Sequence, residues 1–137
     1  MNEYYFELAK SFRNAIEDCI SNGQISVRFL RNFPTGCCSY ASDLLQKYFY
    51  EHNIETFYMS GRTREDSHAW IETYDKVVID ITGDQYRLDP VYVGIRNNGV
   101  YNLFELDKPL SVIENDFIND REKINVYNSI LKCLDEW

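Results

Sequence analysis

Few of the 137 residues combine a reactive side chain with an unusual setting. Cysteine occurs at positions 19, 37, 38 and 133, and histidine only at 52 and 68. Cys37 and Cys38 are adjacent and follow Pro34-Thr35-Gly36, where a helix is expected to begin. A thiol in the first turn of a helix faces unpaired backbone N–H groups and the positive end of the helix dipole, and both favour an anion. Such a thiol has a lowered pKa and carries more thiolate at neutral pH. The Cys38 backbone N–H would point to where an oxyanion develops, and Gly36 has no Cβ to obstruct a substrate. His68 opens a strand, Ser67-His68-Ala69-Trp70, and Asp80 interrupts the apolar run Val77-Val78-Ile79-Asp80-Ile81. A carboxylate inside such a run is costly to bury without a partner. Thiolate, imidazole and carboxylate together form the Cys-His-Asp version of the nucleophilic triad.

Other readings compete at several of these positions. His52 sits beside Glu51 and Asn53 at an expected helix end and reads as solvated. Asp80 could instead bond to amides of the turn that follows its strand. A zinc site is a poor fit to Cys37-Cys38, because zinc ligands are spaced by two to four residues, and the C-x-x-C redox spacing is absent. Cys19 and Cys133 fall on apolar helical stripes and read as small core residues. Without an export signal, no disulfide framework is expected.

The elements that must position these residues follow from periodicity. Tyr5, Leu8, Phe12, Ala15, Ile16 and Cys19 form one stripe, predicting a helix over 3–21 that stops at Asn22-Gly23. Ser26 to Leu30 could form a short strand or turn. A second helix runs from about Cys38 to His52, with Ala41, Leu44, Leu45, Tyr48 and Phe49 inward. The pattern then changes to period two, predicting strands over 56–60, 67–74 and 76–82, the last two joined by a hairpin. Val91 to Gly94 and Val100 to Leu106 read as further strands around a turn at Asn97-Asn98-Gly99. A last helix is expected over about 115–135, with Phe117, Ile124, Tyr127, Ile130, Leu131 and Leu134 on one face. Ser111 and Glu114 stand at capping-box spacing. These elements make an α+β domain with the sheet on one side of the helices. With the hairpin turn at Asp75-Lys76, facing residues have numbers summing to about 151. His68 and Asp80 have the same parity and are expected to share a face, about three residues or roughly 10 Å apart along the strand. A bulge or looser turn would shorten that gap.

Three motifs in order resemble one family. Gly36-Cys37-Cys38 followed by Ala41-Ser42 and Leu44-Leu45 resembles the nucleophile helix of transglutaminase-like proteins in the papain-like superfamily. His68-Ala69-Trp70-Ile71-Glu72 resembles that family's His-Ala-Trp-Val-Glu strand, and Asp80-Ile81-Thr82 its Asp-Pro-Thr strand. With Phe33-Pro34 and Asp84-Gln85-Tyr86 added, the set resembles a group of small bacterial proteins of this type, over about residues 25–105. The resemblance implies that Cys38 is the nucleophile, His68 the general base and acid, and Asp80 the carboxylate that orients it. Cys38 fits better than Cys37: Ser42 lies four residues on and Leu44 and Leu45 six and seven, whereas position six from Cys37 is Asp43. Trp70 walls a cleft or is core. Gln85 holds a substrate amide or donates to an oxyanion, while Asp84 reads as a turn residue. Arg62 and Arg64 steer an acidic substrate or are simply solvated. The chain departs from the family at Ile81, where the family has proline, and it is far shorter than a full transglutaminase.

The implied activity is acyl transfer from an amide, peptide or isopeptide, with hydrolysis the simpler outcome for so small a domain. The alternative is an inactive papain-like scaffold that binds protein. No cofactor or metal is expected, since no acidic cluster has the spacing of a calcium loop. The formal charge of −8 argues against nucleic acid and against anionic lipid. Hydrophobic residues make up 45%, too many for a disordered chain. No apolar run approaches the roughly 18 residues of a membrane span, and Met1-Asn2-Glu3-Tyr4 does not open like a signal peptide. Together these predict a single cytoplasmic domain over 1–137.

Overall fold

The first apolar stripe forms its helix. In a computed structural model describing residues 2–25, 33, 37–86, 89–96, 99–116 and 119–135, α1 spans Asn2–Ser21 and buries Tyr5, Phe12, Ala15, Ile16 and Cys19. It ends where Gly23 takes a left-handed φ of 71°. There the Gln24 N–H donates to Cys19 O and the Gly23 N–H to Ile20 O, a Schellman stop. The second stripe forms α2, Cys38–Glu51. It stops in the same way, with Asn53 at a φ of 63° and Ile54 donating to Phe49 O.

The period-two segments become β1 (Thr56–Arg62), β2 (Ser67–Thr73) and β3 (Val77–Asp80). With β4 (Tyr92–Ile95) and β5 (Glu105–Leu106) they make an antiparallel sheet in the order β4-β3-β2-β1-β5. Ile71, Ile79 and Ile81 pack with Phe12, Ile16, Leu44, Leu45 and Phe49 in the main core. A smaller cluster of Met59, Trp70, Val78, Tyr101 and Phe104 forms beside it. The last helix, α3, is Arg121–Asp135 and packs on α1. The architecture is mixed α+β, and among the described residues no helix is long and apolar enough to cross a membrane.

Two expected boundaries are corrected. Val100 to Leu106 is not one strand: Gly99–Leu103 is a 3₁₀ turn, and only Glu105 and Leu106 pair, with β1 rather than β4. The chain thus crosses from one edge of the sheet to the other and delivers Tyr101 and Phe104 into the smaller cluster. The helix expected from about 115 begins at Arg121, where Asp120 accepts the Lys123 N–H at 3.0 Å as a side-chain cap. Ser111 and Glu114 do exchange their capping-box bonds, at 3.1 and 3.2 Å. That box closes a separate turn, ended by Asp116 at a φ of 57°. The expected element at 26–30, the Asn97-Asn98 turn residues, Phe117 and the Pro34-Thr35-Gly36 lead-in lie outside the described residues.

The cysteine expectation is also corrected. Cys19 and Cys133 are buried, as core residues should be, but they are joined in a disulfide with a Cα–Cα distance of 6.4 Å. Helical spacing places each on its own stripe and is silent on how α1 meets α3. The bridge closes a loop across a sequence separation of 114, long enough for the unfolded chain to lose substantial entropy. Reduction is therefore expected to lower the folding free energy by roughly 2–4 kcal/mol, read as a lower denaturant midpoint. Thiol titration of the denatured, unreduced protein should find only Cys37 and Cys38. Four titrating thiols would refute the pairing.

Candidate functional site

The β2–β3 hairpin sets the geometry. Its register pairs Ile71 with Ile79 and Glu72 with Val78, so facing numbers sum to 150 rather than 151. The difference comes from the turn. The Lys76 N–H donates to Thr73 O at 2.9 Å, with Lys76 itself at a φ of 69°. This is the three-residue loop with a left-handed third position, the looser turn left open by the sequence. An odd sum would have aimed His68 and Asp80 at opposite faces. The even sum puts them on one face as diagonal neighbours, and His68 Nε2 donates to Asp80 Oδ2 at 2.7 Å.

Every acceptor position of that buried carboxylate is used. Oδ2 also accepts the Tyr101 hydroxyl at 2.7 Å, while Oδ1 accepts the Thr82 N–H at 2.9 Å and the Thr82 Oγ1 at 3.2 Å. The two readings of Asp80 are thus both realised, one on each oxygen. Sequence reasoning missed Tyr101. Nothing local marks a tyrosine in a segment whose value lies in crossing the sheet. Burial and the Asp80 charge push the Tyr101 phenol far above its usual range, so it stays protonated and donates to Asp80.

Cys38 is the first residue of α2, and Cys37 is its cap residue with no side-chain capping bond. The first helical bond runs from the Ala41 N–H to Cys37 O at 2.9 Å, which leaves the Cys38 amide outside the helical ladder. The half-buried Cys38 thiol lies near enough to the His68 imidazole to act on its pKa. Since Nε2 is committed to Asp80, the nitrogen turned to sulfur is Nδ1. Burial lowers the His68 pKa, but the bond to Asp80 and the neighbouring Cys38 outweigh it and raise the value to about 9. Cys37 is buried, and burial first, then neighbouring Cys38, pushes its thiol up to about 12.

A groove of about 280 Å³ opens over this pair, lined by Cys38, Ser39, Tyr58, Gly61, Arg62 and His68 among others. No family model, curated protein or solved structure matches the chain significantly. The resemblance to transglutaminase-like proteins therefore stays one of sequence motifs alone.

The remaining candidates fall in different places. Trp70 does not wall the groove: it is fully buried, packs edge-on to Tyr101 at 5.2 Å and donates Nε1 to Glu72 at 3.1 Å. Its parity with His68 turns it into the smaller cluster rather than toward solvent, and Glu72 is held in turn by two 2.8 Å bonds from Arg96. The Gln85 side chain lies outside the described residues. Asp84 accepts both terminal nitrogens of buried Arg13, at 2.9 and 2.8 Å. Arg13 also donates to Ile81 O at 2.8 Å and so braces the chain just after Asp80. Arg62 pairs with Asp107 at 3.2 Å at the groove's rim, and Arg64 is exposed on the loop. Among the described residues, no three His, Cys, Asp or Glu side chains gather to hold a metal ion.

Tyr101→Phe is expected to cost roughly 1.5–3 kcal/mol of stability, the worth of a hydrogen bond to a charged group. It should also raise the His68 pKa above about 9, because Asp80 then shares its charge with one donor fewer. With only two histidines in the chain, imidazole NMR titration reads this directly. An unchanged or lower value would show that Tyr101 does not share the carboxylate's charge.

Proposed function

We propose that this protein is a cysteine-dependent acyl-transfer enzyme, transglutaminase-like on a papain-like core, that acts on an amide, peptide or isopeptide. The observation that carries the reading is the His68 imidazole bonded to Asp80 at one nitrogen and lining the same groove as the Cys38 thiol. Sulfur of Cys38 attacks the carbonyl carbon as its proton passes to His68 Nδ1. The tetrahedral oxyanion forms beside the Cys38 N–H. Collapse expels the amine, which takes the proton from His68 and leaves a thioester on Cys38. Water, or a second amine, then attacks with His68 as base, releasing the acyl group and restoring the thiol. Asp80 holds the imidazole so that Nδ1 is the nitrogen exchanging the proton. A His68 pKa raised to about 9 makes Nδ1 a strong acceptor for the Cys38 proton, which it then holds for the leaving amine.

No cofactor enters this scheme, and its substrate is a peptide, protein or small amide. A cytoplasmic setting fits a working thiol. The Cys19–Cys133 bridge is almost wholly buried, which shields it from attack by soluble thiols there.

Iodoacetamide tests the nucleophile without knowledge of the substrate. At pH 7, Cys38 is expected to alkylate at least tenfold faster than an ordinary exposed thiol, and to lose that advantage in His68→Ala. Labelling at the ordinary rate would leave the inactive protein-binding scaffold as the better reading.

A further inference from the structure

We infer that the Tyr58 hydroxyl is the second oxyanion donor of this site, working with the Cys38 backbone N–H; the inference rests on Cys38 being the nucleophile. Tyr58 lines the same groove as Cys38 and His68. Its Oη lies 2.7 Å from Oγ of Ser39, the residue that follows Cys38. Two hydroxyls joined by one hydrogen bond hold two protons, of which the bond uses one. Whichever way that bond runs, one proton is left over, and no other bond of either hydroxyl occurs among the described residues. A spare donor at the lip of the groove is what a developing oxyanion requires.

The spare proton is assigned to Tyr58 rather than Ser39 for two reasons. A phenol is a stronger donor than an aliphatic alcohol, and burial keeps this one protonated by raising its pKa. Tyr58 is also the rigid partner. It is buried on β1, and its backbone exchanges bonds of 2.7 and 3.0 Å with Leu110 on one side while it pairs with Ile71 on the other. Ser39 is exposed. Preorganised donors are the ones that stabilise charge without reorganisation. Ser39 then donates to Tyr58 Oη and holds it, and the phenolic proton faces the groove. This gives the site a donor pair without Gln85, the residue the sequence offered for the task.

Two reagents separate this role from the nucleophile's. With p-nitrophenyl acetate, the Cys38 sulfur bonds to the acetyl carbon and the ester C–O bond breaks. The p-nitrophenolate leaves, the thiol proton goes to His68, and an oxyanion forms on the way. Iodoacetamide is displaced at carbon with loss of iodide and forms no oxyanion. Tyr58→Phe should slow acylation by about 10²-fold and leave alkylation within about twofold. Equal loss in both reactions, or no loss in acylation, overturns the proposal. Fluorinated tyrosines at position 58 keep the ring and acidify the phenol, so acylation should follow that acidity while alkylation stays flat. Acylation that ignores it would also overturn the proposal. If wild-type Cys38 alkylates no faster than an ordinary thiol, it is the acyl-transfer reading that fails.

Discussion

Cys38→Ala is expected to abolish acyl transfer and rapid alkylation, whereas Cys37→Ala should keep both. The two thiols are neighbours in sequence, and their surroundings separate them. Cys38 opens α2 in the groove with His68 and helps to raise its pKa. Cys37 is 2% exposed, and burial holds its thiol up at about 12, so it carries almost no thiolate at neutral pH. The cavity that Cys37 lines, with Tyr40, Asp43 and Lys123, holds no histidine among its lining residues. Loss of the nucleophile removes the covalent route entirely, and comparable triads lose about 10⁶-fold in turnover. Fragment-ion mass spectrometry after iodoacetamide resolves which sulfur carries the adduct. Label on Cys37 in the wild-type protein, or activity surviving in Cys38→Ala, would reverse the assignment.

How much of this was legible in the sequence depended on how local each cause is. The helix starting at Cys38 was readable because Ala41, Leu44, Leu45, Tyr48 and Phe49 keep a 3.6-residue period through to its end. The common face of His68 and Asp80 was readable from their parity, but not the register that makes parity count. That register depends on Lys76 adopting a left-handed φ of 69°, which a lysine seldom does. Trp70 was ambiguous for a related reason. Alternation says that it shares a face with His68, and only the arrival of Tyr101 and Phe104 decides that this face is covered there. Tyr101 itself, and the Cys19–Cys133 bridge, depend on contacts between segments far apart in the chain. No periodicity reports those. The Ser111–Glu114 box shows the converse: a correct local motif can form and still belong to a different element.

Asp80→Asn should lower acyl transfer by about 10⁴-fold, and the reason lies in the inventory of donors around the carboxylate. All four bonds to Asp80 come from donors, two to each oxygen. An asparagine has one acceptor oxygen and one NH₂. The Thr82 backbone N–H can only donate, whereas the Tyr101 hydroxyl can rotate and accept. The amide oxygen is therefore expected on the Thr82 side and the NH₂ on the His68 side. His68 Nε2 must then accept, its proton moves to Nδ1, and the nitrogen facing Cys38 loses its lone pair. The variant folds around the wrong tautomer. Its pH behaviour should change as well. In the wild type the charged His68 persists to about pH 9, with burial opposed by Asp80 and Cys38. Without the carboxylate, burial prevails and the value should fall. A folded-state pKa raised above the ordinary value contributes stability that is fully present below about pH 6.5 and is lost as pH rises through about 9. The stability gap between wild type and Asp80→Asn should thus be widest at acidic pH and narrow toward pH 9. Denaturant melts across that range, with imidazole NMR on the same samples, test both parts. A gap that widened with pH, or an Asp80→Asn protein within tenfold of wild-type acylation, would show that Asp80 does not set the protonation state of His68.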